Sequence, residues 1–140
     1  MSDPSNLLAT RPALTLPAAR AVLAAAREAA LRHGHAVCIA VLDDGGHLVC
    51  LERLDGTQIG SIEIAILKAR TAVAFRRGTA VFQDAVDGGR PTLLCLPGAI
   101  PLDGGVPLAW RGEVLGAIGV SGADEAGDGA IARAGAAVLG

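Results

Sequence analysis

From Ile39 to Thr79 the chain reads IAVLDDGGHLVCLERLDGTQIGSIEIAILKARTAVAFRRGT. Two short apolar runs are joined by Asp43-Asp44-Gly45-Gly46, and a segment with helical periodicity follows, carrying a lysine among its apolar residues. The turn commits the first two runs to an antiparallel hairpin, because consecutive glycines supply the backbone conformations that tight hairpins need. A lysine taken out of water is costly unless it is paired. Lys68 therefore has either a partner or a route to solvent, and its surroundings are the first place to look for function.

Stepping 100° per residue along the helix expected over roughly Ser61 to Arg77 divides its apolar side chains into two stripes. Ile62, Ile66, Ala69 and Val73 form one, and Ile64, Leu67 and Phe75 form the other. Lys68 lies beside the second stripe, whereas Glu63 and Arg70 share a separate polar edge. One sheet cannot cover both stripes, so the second implies a further partner, and a neighbouring subunit is expected.

The flanking segments place this unit in a domain. Residues 1–13 carry two prolines and no period, which predicts a flexible arm ahead of a single domain over 14–140. Thr15 caps a helix with Pro17 in its first turn and Ala19, Val22, Leu23, Ala26, Ala29 and Ala30 on one face; Gly34 ends it. Thr79 is expected to cap a short helix ending near Val86. Three strands are then expected, Ala99 to Leu102, Val106 to Trp110 and Val114 to Ser121, with Gly116 and Gly119 marking the close approach of another backbone. A last helix runs from about Asp124 to Leu139, burying Ile131, Ala134, Gly135 and Val138. The expectation is an α/β (α+β) fold, a five-stranded antiparallel sheet with helices packed on it, in the order α-β-β-α-α-β-β-β-α.

Composition removes several functions. In 140 residues the formal charge is -2, so the clustered Lys and Arg of a nucleic-acid surface are missing. No apolar run approaches the ~20 residues of a membrane span, and the N-terminus lacks a secretory pattern, so a cytoplasmic protein is expected. Cys38, Cys50 and Cys95 have no zinc-site spacing, and no metal centre is expected from them. Aromatics are confined to Phe75, Phe82 and Trp110, leaving a core of small aliphatic side chains that favours close helix-on-sheet contacts.

Four stretches then carry a family resemblance: VLDDGGHLVCLERLDG (Val41 to Gly56), SIEIAILKARTA (Ser61 to Ala72) with Phe75 and Thr79, DGGVPL (Asp103 to Leu108), and GEVLGAIGVSG (Gly112 to Gly122) with Asp128 opening the last helix. Together they resemble the GlcG/HbpS family, the haem-degrading-domain family that includes the C-terminal domain of PduO proteins. The resemblance implies a profilin-like fold assembled into tetramers or octamers through its helices, and links to haem binding or degradation and to cobalamin and glycolate operons.

Haem binding needs an axial donor, and the candidates are His33, His35 and His47 together with the three cysteines, Cys38, Cys50 and Cys95. A second reading is an enzyme site for a small carboxylate metabolite at a subunit interface. There Arg53 would clamp the anion, Lys68 would add charge or act as base, and Glu63 would serve as counter-ion or acid. Gly104, Gly105 and Thr79 would bind an oxyanion through backbone amides, with Phe75 lining the ligand. A third reading is a non-catalytic sensor or scaffold.

Overall fold

The structure, a computed structural model, describes residues 2–140. Helix α1 (Leu16–Arg32) begins as its sequence dictates, with the Thr15 hydroxyl accepting from the Ala18 N–H and proline in its first turn. Strands β1 (Cys38–Asp43) and β2 (Leu48–Arg53) form the expected hairpin. The Asp43 carboxylate organises the turn by accepting from the Gly45 and His47 N–H groups. Helix α2 (Gly60–Phe75) stops two residues earlier than expected, because Arg76 takes a left-handed conformation (φ 54°). Helix α3 (Thr79–Asp87), strands β3 (Gly105–Trp110) and β4 (Glu113–Ser121) and helix α4 (Glu125–Ala136) complete the order α-β-β-α-α-β-β-α.

The antiparallel sheet has four strands in the order β2-β1-β4-β3, one fewer than expected. The missing strand is Ala99 to Leu102, which is irregular. Pro101 has no N–H to give to a ladder, and the Ile100 N–H donates instead to the Thr71 hydroxyl (3.1 Å). The Asp103 N–H likewise goes to the Gln83 side chain (2.6 Å), so this segment is held by α2 and α3 rather than by a strand. Pro107 is tolerated within β3 because that strand lies at the sheet edge.

Helices α1 and α4 cover one face of the sheet, where Val22, Leu23, Ile39, Val41, Ile118, Val120 and Ile131 form the larger core. Helix α2 covers the other face, over Cys38, Ala40, Leu42 and Ala117. One guanidinium nitrogen of Arg27 (Nη1) donates to both carboxylate oxygens of Glu52 (2.6 and 2.7 Å) and ties α1 to the edge strand β2. At the far end of α4, Val138 is 46% exposed, against the expectation that it is buried; the helix gives way there to a 3-10 turn over Ala137–Leu139. Ahead of α1, residues Pro4–Leu7 make a 3-10 turn, and Arg11 forms an ion pair with Asp44 of the hairpin.

The depth at which α2 sits is set by two glycines. A Cβ on Gly119 would collide with the Ala65 carbonyl, and one on Gly105 with the carbonyl of Lys68, so the helix backbone rests almost directly on β4 and β3. Mostly small side chains fit directly beneath it, with Lys68 the large exception. Ser61, Ala65, Ala69 and Ala72 are therefore the sheet-facing residues, while Ile62, Ile64, Ile66 and Leu67 are displaced to its half-buried flanks. Ala69 and Val73 of the first stripe belong to the buried face itself, and the other stripe residues form its margins. Part of the second is covered from within the chain, since Phe75 packs edge-on against Phe82 of α3 (centroids 5.5 Å apart).

Candidate functional site

Lys68 occupies the middle of the buried face of α2 and is 2% exposed. Its Nζ donates to the Asp128 carboxylate (Oδ2, 3.0 Å) and to the Val120 carbonyl (3.0 Å). Asp128 lies in the first turn of α4, where the helix dipole favours an anion, and it also accepts from the Ala123 N–H (2.8 Å). Burial pushes the Asp128 carboxyl above the usual carboxylate range, while the neighbouring ammonium and the Ala123 amide hold that rise back. The pair joins helices on opposite faces of the sheet, passing at the Gly104 end of β3, where the Lys68 side chain closes over Gly104.

The other proposed site residues are distributed around this pair and not with it. Arg53 is exposed on the edge strand β2, and Glu63 is exposed in the first turn of α2. Among the described residues, neither forms an ion pair with Lys68. Thr79 starts α3 rather than capping it, the cap being Gly78, and its hydroxyl is spent on Gly105: it accepts from the Gly105 N–H (2.9 Å) and reaches the Gly105 carbonyl (3.4 Å). The Gly104 N–H donates to the Asp103 carboxylate (2.8 Å), and its carbonyl accepts from the Val120 N–H (2.9 Å). The Gly104 and Gly105 amides, two of the three nominated for an oxyanion, are therefore engaged within the chain. Asp103 in turn faces Arg133 of α4 (3.4 Å).

Asp128 and Asp103 were not singled out as site residues from sequence. The signal for Asp128 was present: it sits three residues before Ile131 and seven before Gly135, on the buried face of an amphipathic helix, as anomalous there as Lys68 is in α2. Two charges of opposite sign, each on a buried helix face, are natural partners. Asp103 gave no such signal, because its position depends on a loop anchored by distant side chains.

The histidines separate into two environments. His47 is exposed at the hairpin and faces Asp43 (3.3 Å). His33 and His35 follow the C-terminus of α1, with ring centroids 6.5 Å apart. They border a groove of about 260 Å³ between α1 and α4, floored by Ala29, Ala130, Ile131 and Ala134, with Arg32 at its rim. An imidazole donor, an apolar floor and a guanidinium meet there, a set that suits a planar apolar ligand carrying carboxylates, haem included. The groove accepts only an edge of so large a group. Among the described residues, no three His, Cys, Asp or Glu side chains converge as a metal site, and no helix is long and apolar enough to cross a membrane.

An α+β domain with a four-stranded antiparallel sheet between helical layers, which a buried ion pair joins across the sheet, is the class this architecture defines. Within that class the chain belongs to the HbpS-like family: the family described as "Haem degrading protein HbpS-like" matches residues 14–137. The chain is 41% identical over 112 residues to Protein GlcG of Escherichia coli (strain K12), covering 80% of this chain and 84% of that protein. Its fold is similar to a double mutant of Streptomyces reticuli HbpS, with a TM-score of 0.87 and 38% identity over 100% of this chain and 96% of the other. It is also similar to the protein in a crystal structure of a PduOC:Heme complex, with a TM-score of 0.81 and 28% identity over 91% and 96% of the two chains.

Proposed function

We propose that this protein is an oligomeric small-molecule-binding protein whose ligand is haem, held by its edge in the groove beside His33 and His35. The observation that carries this reading is the meeting of two accessible imidazoles with an apolar floor and Arg32 in one groove. Membership of the HbpS-like family and the similarity to a protein described in complex with haem support it. His33 or His35 would hold the haem through an imidazole nitrogen, the apolar Ala130, Ile131 and Ala134 would line the groove beside it, and Arg32 would offer a guanidinium to a carboxylate. Bound haem would supply an iron whose reactivity is set by its axial ligand and by solvent access. A groove of this size leaves much of a porphyrin uncovered, which favours a site completed by a second protomer.

Binding rather than catalysis at Lys68 is the better reading, because the ammonium is enclosed and neutralised by Asp128. The test is titration with hemin, following the Soret band of the wild type and of His33→Ala and His35→Ala. A saturable, stoichiometric shift that one of the two substitutions abolishes is expected. No saturable shift in the wild type, or a shift that both variants retain unchanged, overturns the reading.

A further inference from the structure

Among the described residues, positive φ at a residue other than glycine occurs at Arg76 (54°) and Arg111 (50°). Both are arginines that directly follow a regular element, α2 for the first and β3 for the second. Glycine would take either position without strain, so an arginine held there points to side-chain contacts that offset the cost. For Arg111 the contact lies within the chain: its guanidinium stands 4.3 Å from the centroid of the Trp110 ring. Arg76 has no such answer. Among the described residues its side chain makes no ion pair, hydrogen bond or aromatic contact.

What Arg76 does line is a cavity of about 390 Å³, within the range of small-ligand sites. Arg11 enters it from the segment ahead of α1, and Gly112, Glu113 and Val114 enter it from the turn between β3 and β4. Three segments distant in sequence therefore build it, at the end of the strands opposite the histidine groove. Its charges fall into two kinds. Arg11 is neutralised by its ion pair with Asp44, whereas Glu113, like Arg76, has no ion pair among the described residues. The cavity thus presents an unpaired guanidinium and an unpaired carboxylate that have not closed on each other. A simple anion would be repelled by Glu113 and a simple cation by Arg76, while a molecule carrying both charges is matched by both. We propose that this cavity binds a free amino acid, with its carboxylate on the Arg76 guanidinium and its ammonium on Glu113. The site is separate from the histidine groove and does not depend on haem.

Titration calorimetry of the wild type with each of the common L-amino acids is the test. At least one is expected to bind saturably, with one site per chain. Arg76→Gly suits the left-handed backbone, and circular dichroism should show it folded, yet it is expected to weaken that binding about tenfold or more. The N-acetyl derivative of the bound amino acid keeps the carboxylate and loses the ammonium. The wild type should bind it about tenfold more weakly than the parent, and Glu113→Gln should erase that preference. No saturable heat with any amino acid overturns the proposal, as does binding that Arg76→Gly leaves unchanged. Equal affinity of the wild type for the amino acid and its N-acetyl derivative also overturns it, because Glu113 then takes no part in recognition.

Discussion

Lys68 and Asp128, sixty residues apart in the chain, meet at 3.0 Å with their side chains 2% and 4% exposed. The contact joins α2 on one face of the sheet to α4 on the other, so it fixes how the two helical layers sit relative to each other. Removing one partner leaves the other buried and uncompensated, which costs about 3–5 kcal/mol, whereas replacing both with apolar residues is tolerated far better. Lys68→Met alone should therefore be strongly destabilised in denaturant unfolding, and Lys68→Met with Asp128→Leu should recover most of the loss. If the two substitutions simply add, the pair is not the coupling described.

The close seat of α2 gives a second expectation. Gly119→Ala inserts a methyl where the Ala65 carbonyl already lies. The Ala65 carbonyl and the Ala69 nitrogen beside it are backbone atoms, so relief requires a backbone shift of α2 against β4. A loss of about 1–3 kcal/mol or more is expected from such overpacking. A denaturation midpoint equal to that of the wild type would show that α2 rides higher on the sheet.

Thr79 tests the loop that leads into β3. Its hydroxyl is the partner of the buried Gly105 N–H, so Thr79→Val keeps the shape and orphans the donor. The expected cost is about 1–3 kcal/mol. Thr79→Ser, which retains the hydroxyl, should lose clearly less, and the ordering Val below Ser in thermal unfolding is the check.

The hairpin supplies a pH dependence with a defined sign. The Asp43 carboxyl is held below its usual value of 3.8, first by the His47 N–H, with the Gly45 N–H and the His47 side chain also lowering it and burial opposing them. A depressed folded pKa means that ionised Asp43 adds stability above pH 3.8, and that this is lost as pH falls through the lower, folded value. Wild type should exceed Asp43→Ala in melting temperature at neutral pH, and the gap should close in strong acid. A gap that is constant with pH would assign the difference to something other than the charge.

At the end of α2, Arg76 holds a left-handed conformation that costs a non-glycine residue about 1–2 kcal/mol. Arg76→Gly relieves that strain at the price of a more flexible unfolded chain, so a net gain of up to about 1 kcal/mol is expected. Unchanged or lower stability would mean that the arginine side chain makes a compensating contact.

Much of this protein is local and therefore open to reading from the chain. Thr15 and Pro17 start α1, the Asp-Asp-Gly-Gly turn makes the first hairpin, and Gly119 announces a backbone pressed against β4, because each acts through neighbours in sequence or through its missing side chain. The motif resemblance likewise carried the family. Lys68 was marked as anomalous by the sequence alone, since a charge among apolar residues must be answered somewhere.

What answers it was decided only by tertiary structure. The sheet order β2-β1-β4-β3 brings the start of α4 beneath α2, and nothing local to Lys68 specifies that arrangement. The same holds for the strand that did not form: Ala99 to Leu102 has strand-like apolar residues, but Pro101 cannot donate, and Thr71 and Gln83, distant in sequence, take the free N–H groups. The depth of α2 left the larger apolar residues of both stripes at its margins and made mostly small residues, together with Lys68, its buried face. Sequence patterns report which side chains avoid water; which surface receives them depends on backbone approach and on partners brought together by the whole fold.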